Sequence, residues 1–347
     1  MNLSLAAASG AIINAPRSST FNHSLLSEAA VAKVQHAFDH AWANSTLLKY
    51  RGTINQFLAF CDQENIPLHL HLPADEHLLC AFAASRVGVL SGETIKSQIS
   101  ALKAWHAYND APWCGRARLR YVLHSVANLA PPSSVKPPRP PVSRSMLLIL
   151  AQHLDPTDSF DTCCLAAACF TMWGQIRLGE ILSPWECSFE PSHVVCCLHL
   201  QPPFNDAGSR KCHLPFTKVA KLRGKDVVIC HQNDNSDPIA ALNIHLASNP
   251  IPQEIPLFSY ISPHGWRCLT KKRLLARCNS IWSSNGIPSC SGHSFCIGGT
   301  TEFLLSGVPP DVVKALGRWS SNAFLRYWRS LELLVPLHVE LLPARPS

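Results

Sequence analysis

The chain has 347 residues, 47% of them apolar, so it is long enough for two domains and its composition excludes wholesale disorder. Its 30 Lys and Arg residues outnumber its 23 Asp and Glu residues, and the net charge of +7 is compatible with a polyanionic partner. No apolar run reaches the roughly 18 residues of a membrane-spanning helix, so no membrane partner is predicted.

The cysteine pattern argues against a secreted disulfide protein and against a zinc site. Fifteen is an odd number of cysteines for a long chain in which no secretory signal is evident, so we expect reduced thiols and a location in the nucleus or cytoplasm. Two adjacent pairs occur, at 163–164 and 196–197, but Cys-x-x-Cys spacing is absent. We therefore predict no metal and no other cofactor.

The first part of the chain predicts a tail followed by a helical domain. Residues 1–28 are rich in Ala, Ser and Asn and almost uncharged, which is typical of a flexible tail. Between residues 29 and 130, apolar residues recur at helical spacing, as do Ile95, Ile99 and Leu102. Helices are predicted over 45–61, after Pro73, from Ser91 or Thr94 to Tyr108, and over 116–129.

A proline-rich segment separates this domain from the next. Residues 131–141 contain six prolines and two cations, a composition that cannot form a helix and favours an extended polyproline conformation. We predict a linker over 131–144 and a second domain over 145–347.

The second domain is predicted to be helical with a small antiparallel sheet. Three short apolar runs bounded by Pro, Gly and Asn predict strands over 193–200, 210–216 and 226–230. Helices are predicted over 145–153, 159–173, 238–248, 268–283, 293–306, 310–316 and 322–334. The fold class is therefore mainly α, with one three-stranded antiparallel sheet.

Several charged residues admit two interpretations. Arg177 lies among apolar residues and needs a partner, which Glu180, three residues later, could simply provide. Basic residues also occur in two places where a solvated surface is the ordinary reading. These residues are Lys218 and Lys221 between the last two predicted strands, and Arg116, Arg118 and Arg120 near the fourth helix.

The run from Gly292 to Arg329 resembles the active-site half of the tyrosine recombinases, the phage-integrase family of DNA breaking and rejoining enzymes. It contains His293-Ser-Phe-Cys296, then Gly317-Arg-Trp, then Tyr327. Residues 29–130 are similar to the N-terminal core-binding, SAM-like domain of that family. Gly317-Arg-Trp-Ser-Ser looks like the version in fungal Crypton-type mobile elements.

This resemblance implies roles for residues that are distant in the chain. Arg177, in Arg-Leu-Gly-Glu, matches the first catalytic arginine, and Lys218 matches the lysine that acts as the acid, with Lys221 as the fallback. His293 matches the histidine of His-x-x-Arg, and Tyr327 the nucleophile.

The resemblance also implies contacts and partners. For the position that holds His or Trp in the family, Trp319 is favoured over Arg318, which would then be an extra phosphate contact. Lys271 and the three arginines near the fourth helix become candidate DNA contacts. The implied partner is double-stranded DNA, with a possible homotetramer on DNA and no small-molecule substrate.

One residue departs from the family pattern. Cys296 stands where the family has its second arginine, so a thiol replaces a permanent cation. Losing one donor to a developing oxyanion typically costs about 3 kcal/mol. The sequence therefore predicts a DNA-binding recombinase-like protein with impaired cleavage. The alternatives are a non-catalytic relic or domesticated DNA-binding protein, and a helical scaffold that does not bind DNA.

Overall fold

The computed structural model describes residues 26–134, 137, 139–217, 220, 222–319 and 324. The chain divides into two units, Met1–Pro137 and Pro138–Ser347. Helices dominate both, and the second also carries a three-stranded antiparallel sheet. The predicted fold class, mainly α with one such sheet, is confirmed.

The first unit is entirely helical over its described residues. Three of its helices begin where a side chain accepts a backbone N–H, among them those in which Asp75 accepts from His77 at 2.7 Å and Ser91 accepts from Thr94 at 3.3 Å. The helices are α1 (Glu28–Asp39), α2 (Asn44–Gln63), α3 (Glu76–Ala84), α4 (Gly92–Tyr108) and α5 (Ala117–Asn128).

The core of the first unit is aromatic. Phe57 packs edge-on against Phe82, with ring centroids 5.3 Å apart, and against Trp105 at 6.2 Å. All three side chains are fully buried. Helix α1 was not predicted, because it buries no residue and its Val34 and Phe38 are 51% and 44% exposed.

The second unit is built around the helix Ser159–Trp173, nearly all of whose residues are buried. The helices Pro238–Ser248 and Gly292–Leu305 pack against it, where small buried residues such as Ala166 and Ala167 take up little space. The helices of this unit are α6 (Arg144–His153), α7 (Ser159–Trp173), α8 (Leu178–Ile181), α9 (Pro238–Ser248), α10 (Lys271–Ser284), α11 (Gly292–Leu305) and α12 (Pro310–Leu316).

The sheet differs from the prediction at its first strand. It comprises β1 (Leu200–Pro203), β2 (Arg210–Leu214) and β3 (Lys225–Ile229), antiparallel and in that order. The strand predicted over 193–200 is wrong except for its last residue, because Cys197–His199 form a 3-10 turn. The apolar run before that turn is buried by packing instead, and the Val195 carbonyl accepts the Leu257 N–H at 2.8 Å.

A second, two-stranded sheet was not predicted. Strands β4 (Ser259–Ser262) and β5 (Gly265–Cys268) form a hairpin in which Gly265 adopts φ 92°. Helix α10 therefore begins at Lys271 and not at 268, with Thr270 accepting the Arg273 N–H at 3.3 Å.

Two glycines set the position of α11. A Cβ on Gly298 would collide with the carbonyl oxygen of Val142, and a Cβ on Gly299 with that of Met172 at the end of α7. The helix can lie this close to α7 only because both side chains are absent. This contact places the first turn of α11 next to the segment that follows α7. Across the described part of the chain, no helix combines the length and apolarity needed to cross a bilayer.

Candidate active site

A cavity of about 530 Å³ opens in the second unit, and residues that are distant in the chain line it. Arg177 comes from the segment before α8, Thr217 from the β2–β3 connection and Lys225 from the start of β3. Arg318 and Trp319 come from the turn after α12. The structure thus brings Arg177, Arg318 and Trp319 of the predicted site together.

One buried carboxylate joins the two arginines of the cavity. Arg177 donates to Oε1 of Glu180 at 3.1 Å, and Arg318 donates to Oε2 at 2.9 Å. The Glu180 side chain is 6% exposed and that of Arg318 is 9% exposed, whereas that of Arg177 is 39% exposed. The partnership of Glu180 with Arg177 is therefore present, but it is half of a three-residue cluster.

Gln175 holds this cluster in place and was missed by the sequence interpretation. It adopts φ 47° in the turn that follows α7, and its carbonyl accepts from the Cys296 thiol at 3.3 Å. Its side-chain oxygen accepts from Thr300 at 2.8 Å, and its amide donates to the Val313 carbonyl at 3.4 Å. Gln175 therefore ties α11 and α12 to the turn that carries Arg177. The sequence signal that could have indicated Gln175 is its position as a polar amide within a long apolar run.

The Gly317-Arg-Trp turn owes its shape to the glycine. A Cβ on Gly317 would collide with the indole nitrogen of Trp319 and lie 2.6 Å from Oε1 of Gln175. The indole consequently folds back over the turn, while Arg318 adopts φ 57°. Cζ of Arg177 lies 5.8 Å from the Trp319 ring, within cation–π range. Both residues that competed for the His/Trp position thus line the cavity, with different contacts.

Cys296 is a buried neutral thiol. It is 2% exposed, and burial raises its pKa to about 11, against the smaller lowering effects of Arg177 and Arg318. Both guanidiniums are therefore close enough to act on the sulfur. At neutral pH the thiol carries no charge and can donate only weakly.

Arg318 keeps its charge in a buried setting. Burial lowers its pKa below the ordinary value, while Glu180 raises it. A guanidinium remains protonated under all physiological conditions. Among the described residues, Nη1 of Arg318 has no hydrogen-bond partner. One nitrogen of a buried cation is therefore available for an acceptor.

The Lys271 side chain lies against Gly292, the residue that precedes His293 at the start of α11. His293 is the second residue of this helix, is half-buried and does not line the cavity. A Cβ on the preceding Gly292 would lie 3.2 Å from Nζ of Lys271 and 3.0 Å from Leu178. Gly292 thus leaves room for the Lys271 side chain and for Leu178, the residue that follows Arg177.

Three of the predicted site residues are not described. Lys218, its alternative Lys221, and Tyr327 lie outside the described residues. Thr217, which directly precedes Lys218, lines the cavity. The roles assigned to these three residues stay predictions.

The arginines near α5 belong to the first unit and are exposed. The Arg116 N–H donates to Glu76 at 2.6 Å, and Nη1 of Arg118 lies 3.2 Å from the His77 ring. Arg118 and Arg120 are two residues apart, so they point to different sides of α5. The three arginines therefore do not form one continuous stripe.

The described residues offer no metal site, since nowhere do three His, Cys, Asp or Glu side chains group closely enough to hold an ion. The cavity is lined by guanidinium, ammonium, carboxylate, hydroxyl and indole groups. Such a set can bind an anion through charge and forked hydrogen bonds.

Comparison with solved structures identifies the fold. The chain is 13% identical to the XerH site-specific recombinase bound to palindromic difH substrate in a post-cleavage complex, with a TM-score of 0.58 over 90% of this chain and 85% of that one. For XerH bound to difH in a pre-cleavage complex, the identity is 14% and the TM-score 0.55, over 90% and 84%. No protein family and no curated protein matches the sequence. The likeness at these identities establishes a recombinase fold and nothing finer.

Proposed function

We propose that this chain is a tyrosine-recombinase-like protein that binds double-stranded DNA and acts in DNA recombination or integration, with cleavage slowed by Cys296. The supporting observation is the convergence of Arg177, Arg318 and Trp319 on one cavity in a chain with the fold of XerH. Guanidiniums with fixed forked donors suit the nonbridging oxygens of a phosphodiester.

In the proposed reaction, Tyr327 loses its phenolic proton to water through His293, its oxygen attacks phosphorus, and the bond to the 5′ oxygen breaks. The DNA strand is then joined to the protein as a phosphotyrosine, and the free 5′ hydroxyl of a partner strand can later reverse the step. Lys218, or Lys221 in its place, gives its proton to the leaving oxygen. Arg177 and His293 stabilise the negative charge that grows on the phosphate oxygens.

The neutral thiol of Cys296 is the reason for slow cleavage. In this proposal, α11 offers no cation at the position of the second family arginine, and the thiol donates to the Gln175 carbonyl instead. Loss of such a donor reduces the rate by about a hundred- to a thousandfold. Binding depends on many phosphate contacts and is expected to survive.

Binding is tested first, by fluorescence anisotropy of the full chain with a labelled duplex over a series of salt concentrations. We expect affinity to fall steeply as salt rises, because phosphate contacts release counterions. Absent or salt-insensitive binding would favour a helical scaffold without a DNA role and would refute the proposal.

Cleavage is tested with a pool of nicked suicide duplexes, which trap a covalent protein–DNA adduct. We expect a slow adduct that Tyr327→Phe abolishes. Fast adduct formation that depends on Tyr327 would contradict the impairment, whereas no adduct with intact binding would favour the second candidate, a non-catalytic DNA-binding relic or domesticated protein. The buried, uncharged thiol at Cys296 is the observation that favours this candidate.

Assembly and origin are finer parts of the proposal. A homotetramer on DNA is tested by measuring the mass of the protein–DNA complex in solution. The Crypton-like origin rests only on the resemblance of Gly317-Arg-Trp-Ser-Ser, and it stays a prediction.

A further inference from the structure

We propose that Arg318 supplies, from the turn after α12, the second guanidinium that α11 lacks at Cys296, so that Arg177 and Arg318 together hold one phosphodiester group of duplex DNA. This inference rests on the proposed function, because DNA is the source of the phosphodiester. It goes further by assigning one of the two phosphate contacts to Arg318, which lies in the turn after α12 and not in α11.

The geometry of the carboxylate brings the two guanidiniums side by side. Arg177 and Arg318 contact opposite oxygens of Glu180, at 3.1 and 2.9 Å, and both line the same cavity. A carboxylate is narrow, so two guanidiniums on its two oxygens are neighbours. Neighbouring guanidiniums can contact the oxygens of a single phosphate group together.

The charge of this cluster favours an anion. Two guanidiniums and one carboxylate sum to +1 among side chains that are 39%, 9% and 6% exposed. The other charged residues that line the cavity, two lysines and two aspartates, cancel. A buried charge without compensation is costly, and a phosphodiester carries a single negative charge. Its entry would bring the cluster to neutrality.

Arg318 also has a hydrogen-bond donor, Nη1, that no described residue accepts from. Its Nη2 contacts Glu180, while Nη1 is buried and has no hydrogen-bond partner among the described residues. A buried donor without an acceptor is costly unless a ligand completes it. The nitrogen belongs to a side chain that lines the cavity, so a phosphate oxygen bound there could accept from it.

The turn holds Arg318 in an unusual backbone conformation. Its φ of 57° is disfavoured for a residue with a Cβ, at roughly 1 kcal/mol. The preceding Gly317 permits the indole of Trp319 to fold back over the turn, and the backbone N–H of Trp319 donates to the Lys314 carbonyl at 3.0 Å. This local structure directs the guanidinium to Glu180.

Cys296 and Arg318 are alternatives for one role on physical grounds. The sulfur lies where both guanidiniums act on it, and it is 2% exposed. An arginine at this position together with Arg318 would place three guanidiniums around one carboxylate. Such crowding is unfavourable, so a neutral residue at 296 fits a site in which Arg318 is already present.

The experiment measures duplex binding at a series of salt concentrations for the full chain and four variants. Arg177→Gln and Arg318→Gln each remove one proposed phosphate contact, and Arg144→Gln is the matched control, since Arg144 pairs with Asp234 and does not line the cavity. The fourth variant adds Cys296→Arg to Arg318→Gln. Thermal unfolding verifies that each variant is folded.

We expect Arg177→Gln and Arg318→Gln to weaken binding by about tenfold and to reduce the salt slope by about one, and Arg144→Gln to leave both unchanged. Cys296→Arg should restore part of the loss in the Arg318→Gln background, because it returns a guanidinium to the same space. This restoration separates a phosphate contact from a merely structural role.

Two results would overturn the inference while leaving the proposed function intact. One is wild-type-like affinity and slope for Arg318→Gln when Arg177→Gln binds weakly. The other is weaker binding by Arg318→Gln with an unchanged slope and no restoration by Cys296→Arg, which would indicate a structural role only. Absence of salt-sensitive binding by the wild type would instead refute the proposed function, and the inference with it.

Discussion

The guanidinium of Arg318 donates to the carboxylate of Glu180 at 2.9 Å, and the two side chains are only 9% and 6% exposed. The residues are 138 positions apart, so this contact fastens the turn after α12 to the segment at α8. Removing one partner of a buried ion pair leaves an uncompensated charge, which is more damaging than loss of an exposed pair.

Glu180→Gln is therefore expected to destabilise the second unit. The amide keeps the shape of the carboxylate but leaves two neighbouring guanidiniums without a countercharge. We expect the free energy of unfolding to fall by about 3 kcal/mol, the lower end of the range of about 3–5 kcal/mol for removing one partner of a buried ion pair. The measurement is urea unfolding followed by tryptophan fluorescence.

Glu254→Gln is the control for this prediction. Glu254 is exposed in the same unit, so its replacement should change stability by less than about 0.5 kcal/mol. Equal stability of the Glu180 and Glu254 variants would show that the buried cluster does not stabilise the fold.

The turn that presents Arg318 can be tested through its glycine. In Gly317→Ala, the new methyl group would collide with the Trp319 indole and approach Gln175 to 2.6 Å. We expect a loss of about 1–3 kcal/mol in stability and weaker DNA binding, because the indole and the neighbouring guanidinium must move. Urea unfolding and anisotropy measure the two effects.

Gly179→Ala provides the matched control, since a Cβ there has no atom within 4 Å. That substitution should be neutral or slightly stabilising, because alanine restricts the unfolded chain. If Gly317→Ala bound DNA and unfolded like Gly179→Ala, the close approach of the indole would not matter for the site.

Cys296 is expected to resist alkylation in the native state. Its pKa is raised to about 11, chiefly by burial, and its side chain is 2% exposed. The thiolate is the reactive form, so a pKa of about 11 leaves very little reactive sulfur at neutral pH, and the buried position also keeps the reagent away from it. Timed iodoacetamide labelling with peptide mass spectrometry should show Cys187, which is exposed, modified far earlier. Labelling of Cys296 at the rate of Cys187 would show that the site opens readily.

Part of this site could be predicted from local sequence pattern. Contacts between residues far apart in the chain could not. The contact of Arg177 with Glu180 follows from a spacing of three residues, which is local information. The contact of Arg318 with Glu180 depends on how α12 packs in the folded unit, so no local pattern contains it. The sequence interpretation treated Arg318 and Trp319 as alternatives for the His/Trp position of the family. In the structure both residues line the cavity, because Gly317 before them leaves room for the indole.

The difference between local and long-range information also explains the errors in the predicted secondary structure. Periodicity predicted the buried face of α4, because Ile95 and Leu102 repeat at helical spacing and pack against one core. It failed at 193–199, because this segment pairs only through an isolated β-bridge between Cys196 and Pro256 and forms no strand of the three-stranded sheet. It also missed β4 and β5, because each strand has only four residues, too few for an alternating pattern to be recognised.

His245 makes stability of the second unit depend on pH. The ring is fully buried, lies 2.9 Å from the Leu257 carbonyl and 3.1 Å from the Asn249 amide, and burial lowers its pKa to about 4. The unfolded chain has the ordinary value near 6.5, so between these values the unfolded state binds more protons. The stabilisation is present above about pH 6.5 and is lost as the pH falls toward 4. From pH 7 to pH 5 the expected loss is about 2 kcal/mol.

Urea unfolding at both pH values should show this loss in the wild type. The control His264→Gln, which changes an exposed histidine, should show the same loss, and His245→Gln should show much less. An equal pH dependence in all three proteins would mean that another group causes it.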